Sequence, residues 1–175
     1  MMKKAARKAK KKTTAKKTDK PASVSVQLYS FIANFDAKVG RLIRAVRSAL
    51  RRRFPTANEL VYDNYNFFVI GYCTTERPSD CMVSLAAQAK GVVLSFYYGS
   101  TIPDPDKLLQ GSGKQNRFIR LESAATLKAP GVEALLKAAV AQAKTPLPAS
   151  GRGKTIIKSI SVKQRPRRSD PGGQP

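Results

Sequence analysis

Apolar residues in this chain change period several times, and each change marks an element. From Val24 to Phe35, the positions Val24, Leu28, Phe31, Ile32 and Phe35 recur at helical spacing. A second helix follows with Asp36 as its N-cap, placing Val39, Leu42, Ile43, Val46 and Leu50 on one face. Lys38, Arg41, Arg44, Arg47, Arg51 and Arg52 fill the opposite half of the wheel and read as a solvated outer face, with a nucleic-acid surface as the alternative. Phe54-Pro55 ends this helix, because proline restricts its predecessor and cannot donate a hydrogen bond.

The period then shortens to two. Leu60 to Tyr72, rich in aromatic and β-branched residues, reads as a first strand bent near Asn64. Thr74 to Asp80 is a loop, Cys81 to Leu85 begins a second strand, and Val92, Leu94, Phe96 and Tyr98 share one face of a third. Asp104, Pro105 and Asp106 have the order of a helix start: an N-cap, a proline at the first helical position and an acid near the positive end. They predict a short helix that Gly111 stops by turning through positive φ, with Ser112-Gly113 continuing the turn. Arg117 to Leu121 forms the fourth strand, Pro130 to Lys144 a helix, and Thr155 to Val162 the fifth strand. The expected fold is an α+β two-layer sandwich, a mainly antiparallel sheet of about five strands with helices covering one face.

Charge divides the chain further. Lys and Arg number 33 against 11 Asp and Glu, a net charge of +22. Residues 1–20 carry ten basic side chains and one acidic, without a large apolar residue beyond methionine. Such a segment cannot offset the entropy of ordering, so a disordered basic arm is expected over 1–22, followed by a domain over 23–164 and a basic, proline-rich tail over 165–175. Lys3, Lys4, Arg7, Lys8, Lys10, Lys11, Lys12, Lys16 and Lys17 in the arm, with Arg165, Arg167 and Arg168 in the tail, are the candidate polyanion contacts. No stretch approaches the ~20 apolar residues of a membrane helix, and no apolar signal region follows the basic start, which points to the cytoplasm.

Candidate chemistry is sparse. The chain has no histidine, so imidazole bases, Ser-His-Asp triads and histidine-containing zinc sites are excluded. Gly113-Lys114 and Gly153-Lys154 are not phosphate loops, since Leu108 and Pro148 stand where the template needs its first glycine. A backbone anion nest around Gly111 to Lys114 stands beside a plain turn there. Tyr62, Asp63, Asn64 and Asn66 interrupt a strand-like run with polar groups and, with Gly111, Gly113 and Lys114, are the candidate ligand cleft. One carboxylate without a base partner makes no active site, so no catalytic residue is assigned. Cys73 and Cys81 are expected to face one another across a hairpin centred on Arg77 as free thiols, with two unrelated buried cysteines as the alternative.

Three segments carry a family resemblance. Leu108-Leu109-Gln110-Gly111-Ser112-Gly113-Lys114 with Arg117 to Leu121, Glu59 to Asn66, and Ile156 to Pro166 together resemble the YdhG-like family of bacterial domains. The resemblance covers roughly residues 25–168. It implies a frataxin-like architecture and, from members described as iron chaperones, iron as the one cofactor to consider. Iron would need clustered oxygen ligands, for which Asp104 and Asp106 are the candidates, with Asp63 and Glu122 able to join them.

Two readings lead, with an enzyme of unrecognised type as a third. The first is a non-enzymatic binding module whose basic arms engage DNA, RNA or another polyanion, and the second is a frataxin-like iron or small-ligand carrier. Oligomeric state is not legible. If the arm binds nucleic acid, counterion release should weaken binding steeply between ~50 and ~200 mM salt. Deleting residues 1–20 should flatten that slope, and equal binding of truncated and full-length protein at low salt would remove the arm from the account.

Overall fold

The computed structural model describes residues 22–169. Two helices come first, α1 (Val24–Ala33) and α2 (Ala37–Arg53), followed by strands β1 (Asn58–Asp63), β2 (Phe68–Cys73), β3 (Cys81–Gln88), β4 (Gly91–Phe96) and β5 (Arg117–Leu121), then α3 (Pro130–Ala141) and β6 (Thr155–Ile160). The fold is α+β, with one open six-stranded sheet in the order β5-β4-β3-β2-β1-β6. All neighbours run antiparallel except β6, which lies parallel to β1.

Alternation along the strands explains the core. Val61, Phe68, Ile70, Tyr72, Val83, Leu85, Leu94, Phe96, Ile119 and Leu121 join Leu28 and Ile32 of α1, Ile43, Val46 and Leu50 of α2, and Leu135 and Leu136 of α3 in one buried cluster. A second, small cluster holds Leu60, Cys73 and Cys81. Leu60 sits one residue out of phase with Val61, which places it on the other side of the sheet.

The same alternation sets two carboxylates, Glu59 and Asp63, on either side of Val61. Glu59 is fully buried and accepts from Arg47 at 2.9 Å (Nε) and 2.7 Å (Nη2), from Thr155 Oγ1 at 2.6 Å and from Tyr72 Oη at 3.3 Å. Arg51 Nη1 approaches the same carboxylate at 3.5 Å. One acid therefore ties α2 to the first, second and last strands. Asp63 is the partner of Arg167, whose Nη2 donates to it at 3.1 Å.

Several expectations need correction. The single bent strand over Leu60 to Tyr72 is a hairpin, because the chain reverses over residues 64–67 and pairs Asp63 with Phe68. That raises the strand number from about five to six. Arg47 and Arg51 leave the predicted solvated face of α2 and turn toward Glu59. No helix forms after Asp104. Its carboxylate accepts from the backbone N–H groups of Leu108 (2.9 Å) and Leu109 (2.8 Å), while Lys107 takes φ +52° and turns the chain away. Asp36 does precede α2, but its side chain holds the Ser169 N–H at 3.0 Å instead of capping. Gly111 does adopt positive φ, +102°.

Gly153 is fixed by a close approach. A Cβ there would lie 1.8 Å from the Ala57 carbonyl oxygen, so only glycine lets the lead-in to β6 pass this close to the lead-in to β1. Its N–H donates to Pro55 O at 3.0 Å, and the next residue, Lys154, accepts from Glu59 N at 2.7 Å.

Replacing Glu59 by Ala leaves two arginines half-buried beside an empty site, and removing one member of a buried pair costs about 3–5 kcal/mol. Urea unfolding of Glu59→Ala should show a loss of that order. A change under ~0.5 kcal/mol, the size of an ordinary surface substitution, would show that the carboxylate does not hold α2 to the sheet.

Candidate functional site

The sheet surface that carries Leu60 is concave, and strand register explains the shape. Leu60 pairs with Gly71, Gly71 with Ser84, Ser84 with Ser95, and Ser95 with Phe118, so these residues form one row across five strands. The next row runs Tyr62, Val69, Ala86, Val93, Arg120. Small residues occupy the middle strands and large ones the outer strands. The result is a trough of about 640 Å³ lined mostly by carbon, with Tyr62, Phe67, Tyr97 and Phe118 as its aromatic sides.

Polar groups in the trough are few. Ser84 and Ser95 stand opposite one another on its floor, and neither hydroxyl is engaged by another described residue. Asn116 sits at the rim with its amide nitrogen 2.9 Å from Phe96 O and 3.0 Å from Tyr97 O. Among the described residues Arg120 supplies the one charge in the lining. Its guanidinium lies 6.0 Å from the Phe118 ring centroid and pairs with no carboxylate among the described residues. Among the described residues the lining holds neither a carboxylate nor an imidazole, so neither of those groups can serve as a base there.

Cys73 and Cys81 close one end of the floor. They are register partners across the β2–β3 hairpin, and both are free and buried. Gly71 makes room for them. A Cβ on it would meet the two sulfurs at 3.6 Å and 3.1 Å. Cys81 Sγ donates to Val83 O at 3.3 Å. A hydrogen bond with Cys81, then burial, push the Cys73 thiol far above its usual range, so it is held neutral and unreactive.

The predicted cleft is only partly assembled. Tyr62 and Asn64 line the trough. Asp63 faces the core side, where burial raises its carboxyl above the usual value although Arg167 pulls it down. The Asn66 carbonyl accepts from Arg167 at 3.0 Å and from Gln88 at 3.4 Å. Gly111, Gly113 and Lys114 lie in the loop before β5 and do not reach the trough; Gly111 packs against the Phe118 ring, and the Gly113 carbonyl accepts from Arg117. Sequence reasoning missed Gly71, Ser84, Ser95 and Arg120. The alternation of Ser84, Ala86 and Gln88 with Val83, Leu85 and Ala87 was the available signal of a second, more polar sheet face.

The candidate metal and polyanion residues are scattered. Asp104 is occupied by backbone N–H groups, and Asp106 Oδ2 sits 2.6 Å from where a Cβ on Gly131 would be, against the first turn of α3. Among the described residues no three His, Cys, Asp or Glu come together as a metal site. Lys3, Lys4, Arg7, Lys8, Lys10, Lys11, Lys12, Lys16 and Lys17 lie outside the described residues. Of the tail residues, Arg167 is only 6% exposed, hydrogen-bonded to Asp63, Asn64 and Asn66 and stacked 5.6 Å from the Phe35 ring. Arg165 lies over Tyr65 at 5.5 Å, and Arg168 donates to Ala33 O at 3.3 Å. The described start of the tail is therefore a docked strap in which Arg167 is used internally while Arg165 and Arg168 stay exposed. Among the described residues no helix is long and apolar enough to cross a membrane.

No family model matches the chain, and no curated protein or solved structure matches it either. The YdhG-like resemblance rests on its three segments alone. Two of them, Glu59 to Asn66 and Ile156 to Pro166, lie side by side as β1, β6 and the strap.

The thiol pair predicts a pH effect. Cys73 has a folded value far above its ordinary 9.0, so its stabilising contribution is complete below that value and is lost as pH rises above it, where only the unfolded chain releases the proton. Between pH 8 and pH 10 this one group should lower stability by roughly 1 kcal/mol. Urea midpoints of Cys73→Ala should fall correspondingly less over that interval, and an identical fall in both proteins would show that the thiol ionises in the folded state.

Proposed function

We propose that this chain is a non-enzymatic binding module that carries a small, largely apolar ligand in the trough on its open sheet face. The observation that supports the reading best is the combination of size and lining. About 640 Å³ falls within the ordinary range of ligand pockets, and the aromatic sides with a few polar groups have the composition of such sites. A plain solvated sheet face would carry long charged side chains across its middle strands; this one carries Gly71, Ser84, Ala86 and Ser95 there. Engagement of a polyanion by the basic arm is a separate activity of the same module, supported by the net charge of +22.

An environment-sensitive dye tests the trough. Anilinonaphthalene sulfonate should brighten on the native protein, and Ser84→Phe, which puts a ring on the trough floor, should abolish the response while near-ultraviolet circular dichroism stays native. Ser95→Phe provides the same blockade should the first variant not fold. Undiminished dye binding by a folded, blocked variant would rule the trough out as the site.

A further inference from the structure

Resting on that reading, we propose that the ligand is a planar heteroaromatic ring bearing a single anionic group, seated over Ser84 and Ser95 with its anion on Arg120. The floor under the ring is sheet backbone with small side chains, walled by Tyr62, Tyr97 and Phe118. Such walls favour the face or edge of another ring, because aromatic pairs gain from stacked and edge-to-face contact beyond simple burial.

The two free hydroxyls decide between ring types. A hydrocarbon chain laid across Ser84 and Ser95 would take both hydroxyls out of water and leave them no partner but each other, so that the rest of their donor and acceptor capacity goes unfilled, which is costly. A ring with heteroatoms at its edge satisfies them. Each serine can donate or accept, so the floor accommodates a ring nitrogen or a ring-bound oxygen.

Arg120 decides the charge. It is the one charged residue of the lining and has no carboxylate partner among the described residues, so a ligand anion would meet a guanidinium not already neutralised. Arg120 is one strand over and two residues along from Ser95, since Ser95 pairs with Phe118. From strand spacing and rise, that separation is about 8 Å between Cα atoms. An anion attached directly to a ring centred on the serines is then within reach of the arginine side chain. A dianionic ligand would leave its second charge without a cation among the described lining residues. The net charge of +22 favours an anion over a cation as occupant and disfavours a second copy of the chain.

Calorimetric titration of the full chain with four probes of similar size tests this: quinaldate (ring nitrogen and carboxylate), quinoline (ring nitrogen alone), naphthoate (carboxylate alone) and decanoate (carboxylate on a flexible chain). Quinaldate should bind at least about tenfold more tightly than each of the others, the step expected for one added charge-assisted or neutral hydrogen bond. Arg120→Gln should reduce quinaldate to the level of quinoline, and Ser84→Ala with Ser95→Ala should reduce it to the level of naphthoate. Both variants are confirmed as folded by thermal melting. Decanoate or naphthoate binding as tightly as quinaldate, or an unchanged quinaldate affinity in Arg120→Gln, overturns the ligand class. If the dye of the preceding test binds in the trough and quinaldate shows no advantage, the ligand class alone fails; if neither the dye nor any probe binds, the trough is not a binding site.

Discussion

A single carboxylate with no exposure to solvent holds the two layers of this protein in register. Glu59 brings the stems of Arg47 and Arg51 inward from α2 and meets Tyr72 from β2 and Thr155 from β6. A buried charge of this kind is tolerable only when its lone pairs are filled, and here the bidentate arginine and two hydroxyls fill them. Those constraints fix the height of α2 along β1. Val46 and Leu50 are thereby set among the sheet residues of the main cluster.

Burying one sheet surface under that cluster determines what the other can be. Because strand side chains alternate, the residues between the core positions of β2, β3 and β4 are committed to the opposite side, and here they are small. The trough is a consequence of pairing: Gly71, Ser84 and Ser95 are far apart in sequence and become neighbours only through the hairpin registers. The paired cysteines belong to the same surface. The neutrality of the Cys73 thiol and the absence of a side chain on Gly71 keep that end of the floor apolar.

Elements whose signals are local were legible in the sequence, and elements that depend on distant partners were not. The periodicity of α1, α2, α3 and β6, the positive φ of Gly111 and the facing of Cys73 and Cys81 all follow from residues within a dozen positions. Asp104 misled for an instructive reason: its carboxylate does bind the backbone N–H groups that a cap would bind, but it binds those of Leu108 and Leu109, and the chain closes a turn without continuing as a helix. Arg47 and Arg51 looked solvated on a helical wheel because their acceptor lies on the following strand; alternation with Val61 already placed Glu59 inward, so that pair could have been found. The trough could not, since its shape depends on which residue of one strand stands opposite which of the next. Arg167 was read as a free cation of a frayed tail, and nothing near it in sequence announces Asp63.

The docked strap gives the molecule a dependence on chain completion. Thr155 reaches Glu59 and Arg167 reaches Asp63 across 96 and 104 residues of sequence. During synthesis β1 and β2 emerge long before these partners, with the outer edge of β1 unpaired and two acids awaiting a hydroxyl and a guanidinium. An open strand edge invites pairing with other chains until it is covered. The parallel docking of β6 and the seating of Arg167 then act as a late latch, and a chain broken off before Thr155 would carry an uncovered β1 edge and an unpaired Asp63.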